Sequence, residues 1–505
     1  MAHSRKDGGG ILSVDSTDTP TPLVAAPRTV AIVVAYVLAF FGLLPLVLIR
    51  FGQRVDTCLG LPPIAAAFDA ALGAVLVVAG GTLLGHAMLE LWEKGRGLPI
   101  SHLPPARLVA SGWYRRFRHP IYVGYSVAFA GMGCWQRSLG VALFATTLLV
   151  VGWCLYAAFI EEPLLLQRFG ASYRQHLRET RRVPLPHPPF ASGLYRIWNW
   201  LKPLAEWLAR HPVWFSFGAC RWVGYGGLVA IGAGVAAALA SVLLSVALSA
   251  QALAEYVLGL TLSMLVGGRL AWLGYEWRAF RAAPVRTLRR VGFVSFGAYV
   301  AMFCFALAWP PLRAPAHGAL WFLDRTMLAC LVCSGFGRLG CLSYGCCYGK
   351  PWAHGMRFLS SESKVVRERD EDGYLPRVPT QLLSALLAFA SAALLFLLLL
   401  VSTTPGFASC LAALLYALAR FAIEGQRDEE RFLSNRLTRG QIAAAGIALT
   451  ALAALAFAPF AAFSGPSFIA SLRPAAAWSN AWLPLATALS VFIVCGYHRR
   501  HVGSW

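Results

Sequence analysis

Charge is what this sequence has least of. Only 23 of its 505 residues are acidic, and Asp, Glu, Lys and Arg together make up 13%, about half the ~25% of a soluble globular chain. With 58% hydrophobic residues and a mean hydropathy of +0.60, the composition excludes a soluble fold. It implies a polytopic membrane protein with length enough for two domains. No cleavable leader is expected either, since residues 1–28 hold no apolar core flanked by a cleavage site. They are polar, include Pro20, Pro22 and Pro27, and read as a disordered cytoplasmic tail. No internal repeat relates the two halves. No pair of interrupted apolar segments occupies matching positions, which weighs against a transporter. The twelve cysteines lie mostly within apolar runs, where Cys behaves as a small hydrophobe, so no disulfide framework is expected.

What charge there is has one sign. The net charge is +21, but the basic residues are divided among short loops between apolar runs, which excludes a nucleic-acid surface and fits loops that meet anionic lipid. Runs of about twenty apolar residues lie at 29–49, 63–91, 119–135, 138–160, 223–248, 252–274, 291–309, 318–336, 380–401, 407–424, 440–463 and 480–497. They are too long and too uniformly apolar for barrel strands. The reading is an all-α polytopic membrane protein of about 12 transmembrane helices, four plus eight, in two domains. The basic stretch 93–118 and the loop from Arg278 to Arg290 put both termini on the cytoplasmic side. Between the domains, Pro184, Pro186, Pro188 and Pro189 mark a linker, and the Trp- and base-rich run 194–202 reads as an interfacial helix. The domains are expected at 29–185 and 211–505, with the linker at 186–210.

The glycine-dense stretch 337–349 is read as a loop around which the second domain is built. It holds Arg338 at the end of a span, where an unpaired charge is costly without an anionic partner such as a lipid phosphate. Cys330, Cys333, Cys341, Cys346 and Cys347 resemble a metal-ligand pattern. Cys330 and Cys333 fall on a span as packing residues, so no metal is expected. The loop cysteines leave redox or acceptor-thiol chemistry open.

In the first domain an Arg118-His119 pair opens one apolar helix and Glu161-Glu162 closes another. Together they offer cations to a carboxylate and carboxylates to an amine, or else form an interfacial ion pair. The order Arg118-His119-Pro120-Ile121-Tyr122-Val123-Gly124, then Glu161-Glu162, then Phe169-Gly170 and Tyr173, resembles the isoprenylcysteine carboxyl methyltransferase and phospholipid methyltransferase superfamily over about residues 65–185. The resemblance implies S-adenosyl-L-methionine at the cytoplasmic helix ends, held by Arg118, His119, Tyr122, Gly124, Glu161 and Glu162. It leaves the methyl acceptor open.

In the second domain Tyr416, Arg420 and Glu424 share a helix face, followed by Arg427. Tyr225, Arg269 and Gln381 stand near span ends. With Arg338, these pieces resemble prolipoprotein diacylglyceryl transferases over about residues 211–463. That family implies phosphatidylglycerol as donor, a lipobox cysteine or other lipid-linked acceptor, and a bacterial inner-membrane location. Arg338, Arg420, Glu424 and Tyr225 would be catalytic. Arg269, Tyr416, Arg427 and Gln381 would bind substrate. The sequence departs from the family where Phe296, Val378, Cys341, Tyr344 and Cys346 stand in place of family His, Asn and Glu residues, which removes the usual candidate base. The competing readings are a lipid-binding scaffold, a transporter, or a chain in which only the methyltransferase half is active.

Overall fold

The computed structural model describes residues 27–97, 105–180, 189–218, 220–288, 292–402, 404–432, 437–460, 466–472 and 480–499. Apart from Pro27 and Arg28, the tail expected at 1–28 lies outside the described residues, as do Pro184, Pro186 and Pro188. Four apolar helices form the first part: α1 (Val30–Leu59), α2 (Ala66–Gly95), α3 (Pro120–Trp135) and α4 (Gly140–Glu179). Helices α2 and α3 cross through glycines. A Cβ on Gly80 would lie 2.3 Å from Ala128 N, and one on Gly124 would lie 2.6 Å from Leu84 N. Lacking Cβ atoms, the two backbones approach closely enough for dense packing in lipid.

Helix α4 departs from the expected run, which was to end near residue 160. It continues for 40 residues, through a π turn at Ala157–Glu161 and a break at Gly170, where φ is 52°. The physical reason is Pro163. Its ring has no N–H and crowds the carbonyl four residues back, and a wider turn just before it absorbs the mismatch. Glu161 and Glu162 therefore lie at a bulge within a helix and do not close one.

Helix α5 (Pro189–Arg210) is amphipathic. It buries Ala205 and Ala209 against Leu342, Tyr348, Met356 and Phe358, and exposes Trp200, Leu204 and Trp207. The antiparallel strands β1 (Val213–Phe217) and β2 (Cys220–Val223) follow. Next come α6 (Gly224–Leu244), α7 (Ala250–Tyr275), α8 (Ser295–Arg313), α9 (Ala319–Tyr344), α10 (Thr380–Val401), α11 (Phe407–Glu424), α12 (Arg439–Phe457) and α13 (Trp482–Gly496). Strand β3 (Tyr497–Arg499) pairs with β2. This small sheet, like the pairing of Arg431–Phe432 with Leu437–Thr438, is not announced by the apolar runs.

Among the described residues ten helices are long and apolar enough to cross a membrane. Helices α3, with 16 residues, and α13, with 15, occupy the other two expected runs but are shorter. Helix α9 is the buried axis of the second part and packs against α6, α8 and α10. It also corrects the expected loop at 337–349: residues 337–344 are its last turns, and only 345–349 leave it. Gly340 is there for packing, since a Cβ would lie 3.0 Å from the Tyr225 backbone oxygen. Gly345 ends the helix in the left-handed conformation, φ 77°, which glycine adopts without steric cost.

The two parts share a core. Phe51, Val55, Phe129 and Val141 from the first pack in one cluster with Phe407, Leu411, Ala448 and Leu455 from the second. Phe159, two residues before Glu161, stacks edge-on against Phe421 at 5.6 Å and fills the space beside Gly425.

Candidate functional site

The first site forms where the start of α3 meets the π turn of α4. His119 precedes Pro120, the first residue of α3. Its Nδ1 lies 3.4 Å from Glu161 Oε2 and its Nε2 lies 3.6 Å from Glu162 Oε1. Arg118 Nη1 is 3.5 Å from Glu162 Oε1. The same guanidinium donates to Leu177 O at 2.5 Å and Thr180 O at 3.3 Å, tying the far end of α4 to the site. Tyr122 donates to Glu161 Oε2 at 2.5 Å, and its ring stacks between His119 and Trp153 with centroids at 5.3 and 4.5 Å. Two cations thus face two carboxylates in a half-closed, aromatic-walled niche.

An apolar cavity of about 380 Å³ opens on one side, lined by Val123, Val127, Val150, Trp153 and Ala157 together with Arg118, His119, Tyr122 and Glu162. A smaller one of about 100 Å³ lies on the other, reaching Glu161, Tyr173 and His176. Five of the six residues expected around the cofactor are therefore brought together. Gly124 is not with them: its role is the α2–α3 crossing.

Burial opposes a charge on the His119 ring, but the interactions with Glu161 and then Glu162 outweigh it and lift the imidazole from its ordinary 6.5 to about 9. A raised histidine pKa stabilises the folded chain fully below 6.5, and that contribution is lost as pH rises through about 9. The melting temperature of the wild-type chain is accordingly expected to fall across that window. His119→Gln, with no proton to lose, should show a smaller fall in the same calorimetric pH series.

The second site is a cavity of about 860 Å³ at the end of α9. Its wall includes Tyr225, Arg338, Cys341, Tyr344, Cys346, Cys347, Lys364 and Arg439. None of the salt bridges among the described residues involves Arg338, and its Nη1 points to Cys347 Sγ at 4.0 Å. Hydrogen bonding with Cys341 and then Cys346 holds the Cys347 thiol well below its ordinary 9.0 against the effect of burial, and Arg427 and Arg338 act in the same direction.

The other expected residues lie behind this wall. Glu424, 1% exposed, is clamped between Arg420 and Arg427, with Arg427 Nη1 at 2.7 Å from Oε2. Arg420 also donates to Ser384, and Arg427 reaches Glu429 at 2.5 Å. Gly440 leaves room for this cluster, since a Cβ there would meet Glu424 Oε2 at 2.4 Å. Gln381 donates to Cys346 O and Thr380 to Cys347 O, both at 2.8 Å. Gln381 therefore pins the turn that carries the cysteines. Tyr416 packs against the cluster of Leu395, Leu399 and Ala412.

Arg269 is also outside the cavity wall. It donates to Gly292 O at 2.9 Å and Leu288 O at 2.7 Å and lies over the Trp272 ring, so it closes the chain between α7 and α8. Lys364 was not foreseen. It comes from a short helix that follows a polar connection, and no local pattern marks it.

Two family models match the chain. That for phospholipid methyltransferase covers residues 68–172, and that for prolipoprotein diacylglyceryl transferase covers residues 212–457. Among characterised relatives, phosphatidylglycerol–prolipoprotein diacylglyceryl transferase 2 of Clostridium perfringens is 25% identical over 172 residues, which is 34% of this chain and 64% of the relative. The Clostridium tetani phosphatidylglycerol–prolipoprotein diacylglyceryl transferase is 26% identical over 156 residues, 30% of this chain and 57% of the relative. The chain thus covers less than two thirds of either relative's length. The two matches fall one within each structural part: an amino-terminal phospholipid methyltransferase-like domain is joined to a carboxyl-terminal prolipoprotein diacylglyceryl transferase-like domain.

Proposed function

We propose that this chain is a bifunctional transferase of the bacterial inner membrane. The first domain transfers a methyl group. The second moves a diacylglyceryl group from phosphatidylglycerol to a lipoprotein thiol or another lipid-linked acceptor. The observation that carries the reading is the pairing of charge with an apolar cavity at each site, which suits substrates with a polar head and hydrocarbon chains.

At the first site, S-adenosyl-L-methionine supplies an electrophilic methyl when bound. The donor set fits it: two carboxylates for an ammonium or sulfonium, two cations for a carboxylate, and a buried His119 Nε2 without a hydrogen-bond partner. Arg118, His119, Glu161 and Glu162 would hold its polar end. Tyr122 and Trp153 would keep water away, since this chemistry needs an aligned, dry approach more than a strong base. Replacing His119 or Glu162 by alanine is expected to weaken binding of labelled S-adenosyl-L-methionine to the detergent-solubilised chain ~10-fold or more, as loss of a buried charge-assisted contact does. Unchanged binding in both variants would remove the assignment.

At the second site, Arg338 meets the phosphate of the donor. As the carbon–oxygen bond to that phosphate breaks, the leaving glycerol phosphate gains negative charge, and a preplaced cation stabilises it. Lys364 and Arg439 widen the positive field at the mouth. The Phe159 contact with Phe421 and Gly425 supports both sites opening on one membrane face, the cytoplasmic one. Cysteines placed at exposed Arg115 and Glu371 are expected to react with an impermeant maleimide from the same side of sealed vesicles. Reaction from opposite sides would contradict this orientation.

A further inference from the structure

We infer that Cys341, Cys346 and Cys347 form a three-thiolate site for a soft divalent cation of the zinc and cadmium class, with its remaining coordination position open to the 860 Å³ cavity. This reading does not depend on either transfer reaction. The three sulfurs lie within 4.8 Å of one another. Thiolates on one tetrahedral zinc, each about 2.3 Å from the metal, sit about 3.8 Å apart. Small side-chain rotations therefore close the site. A disulfide needs sulfurs about 2.0 Å apart, a larger movement, and would leave the third thiol out.

The backbone is already arranged for this cluster. Gly345 ends α9 in the left-handed conformation, and Cys347 takes φ 56°, a region that a side-chain-bearing residue occupies only when its surroundings impose it. Those surroundings are on hand. Gln381 and Thr380 hold the carbonyls of Cys346 and Cys347, both at 2.8 Å, which turns both sulfurs back toward Cys341. Side chains fixed in this way from outside are what ligand sites need.

Charge balance fits a divalent ion. Three thiolates with one such cation leave a single negative charge, and Arg338 stands 4.0 Å from Cys347 Sγ to meet it. Without a metal, three thiolates side by side would repel one another. Cys330 and Cys333, earlier on α9, are not part of the cluster.

The full chain, purified in detergent under reducing, anaerobic conditions, tests the site. Metal analysis is expected to find one zinc per chain, and titration of the stripped chain with cadmium should give one equivalent of thiolate-to-cadmium absorption. Cys341→Ser, Cys346→Ser and Cys347→Ser should each lose stoichiometric binding, while Cys333→Ser keeps it. Circular dichroism melting would verify that the variants are folded. In the wild-type chain, where folding is not in question, cadmium should protect these three cysteines from iodoacetamide as mapped by mass spectrometry. Full alkylation in the presence of cadmium, a disulfide within the cluster, or undiminished binding in the three variants would overturn the site.

Discussion

Replacing Arg338 by alanine is expected to lower diacylglyceryl transfer ~10²–10³-fold, the size of effect seen when one preplaced donor to a developing anion is removed. Arg420 and Arg427 are committed to Glu424, and Arg269 to two backbone carbonyls. Arg338 enters none of the carboxylate pairs among the described residues and lines the cavity. Under the proposed function it is therefore, with Arg439, a cavity-wall arginine that can meet a phosphate. Arg338→Lys keeps the charge but loses the forked geometry, and should recover part of the rate. The measurement is transfer of labelled diacylglycerol to a lipobox peptide in membranes containing the variant. A rate equal to wild type in the alanine variant would refute a phosphate role for this side chain.

The second large effect concerns Glu424, where stability and catalysis can be told apart. Glu424→Ala leaves two buried guanidinium groups without their shared carboxylate, and breaking a buried ion pair from one side costs about 3–5 kcal/mol. The variant should melt well below wild type, with transfer lost because the fold is lost. Glu424→Gln keeps hydrogen-bond acceptance at one oxygen and should melt between the two. If Glu424 acts on the acceptor, the glutamine variant loses activity at temperatures where it is fully folded. If Glu424 only braces the arginines, activity follows the folded fraction. The clamped geometry favours bracing.

The helices were legible because the bilayer demands long apolar runs, and the runs at 223–248, 252–274 and 380–401 became α6, α7 and α10 with small shifts at their ends. The pairing of Arg118 and His119 with Glu161 and Glu162 was legible as well, since isolated charges at the ends of apolar segments need partners. Other features depend on contacts that local sequence does not carry. Glu161 and Glu162 were expected to close a helix, whereas the chain carries them through a π turn just ahead of Pro163. Glycines at 337–349 suggested a loop, but Gly340 is set by Tyr225 across a helix crossing, while Gly345 makes the turn that ends the helix. Arg269 looked like a ligand-binding charge because its partners, Gly292 O and Leu288 O, are backbone atoms with no signature. The cysteine pattern was visible in the sequence, but which of its members converge depends on contacts from elsewhere in the chain. Gln381 and Thr380, more than thirty positions on, hold the carbonyls of Cys346 and Cys347 and so brace the turn that Gly345 begins.

The edge-on contact of Phe159 with Phe421 reaches beyond packing. It ties the helix of Glu161 to the helix of Glu424, and under the proposed orientation both cavities would open toward a single leaflet. A lipid altered in the first chamber would reach the second by lateral diffusion, with no flipping step between them, and the two reactions would draw on one two-dimensional pool.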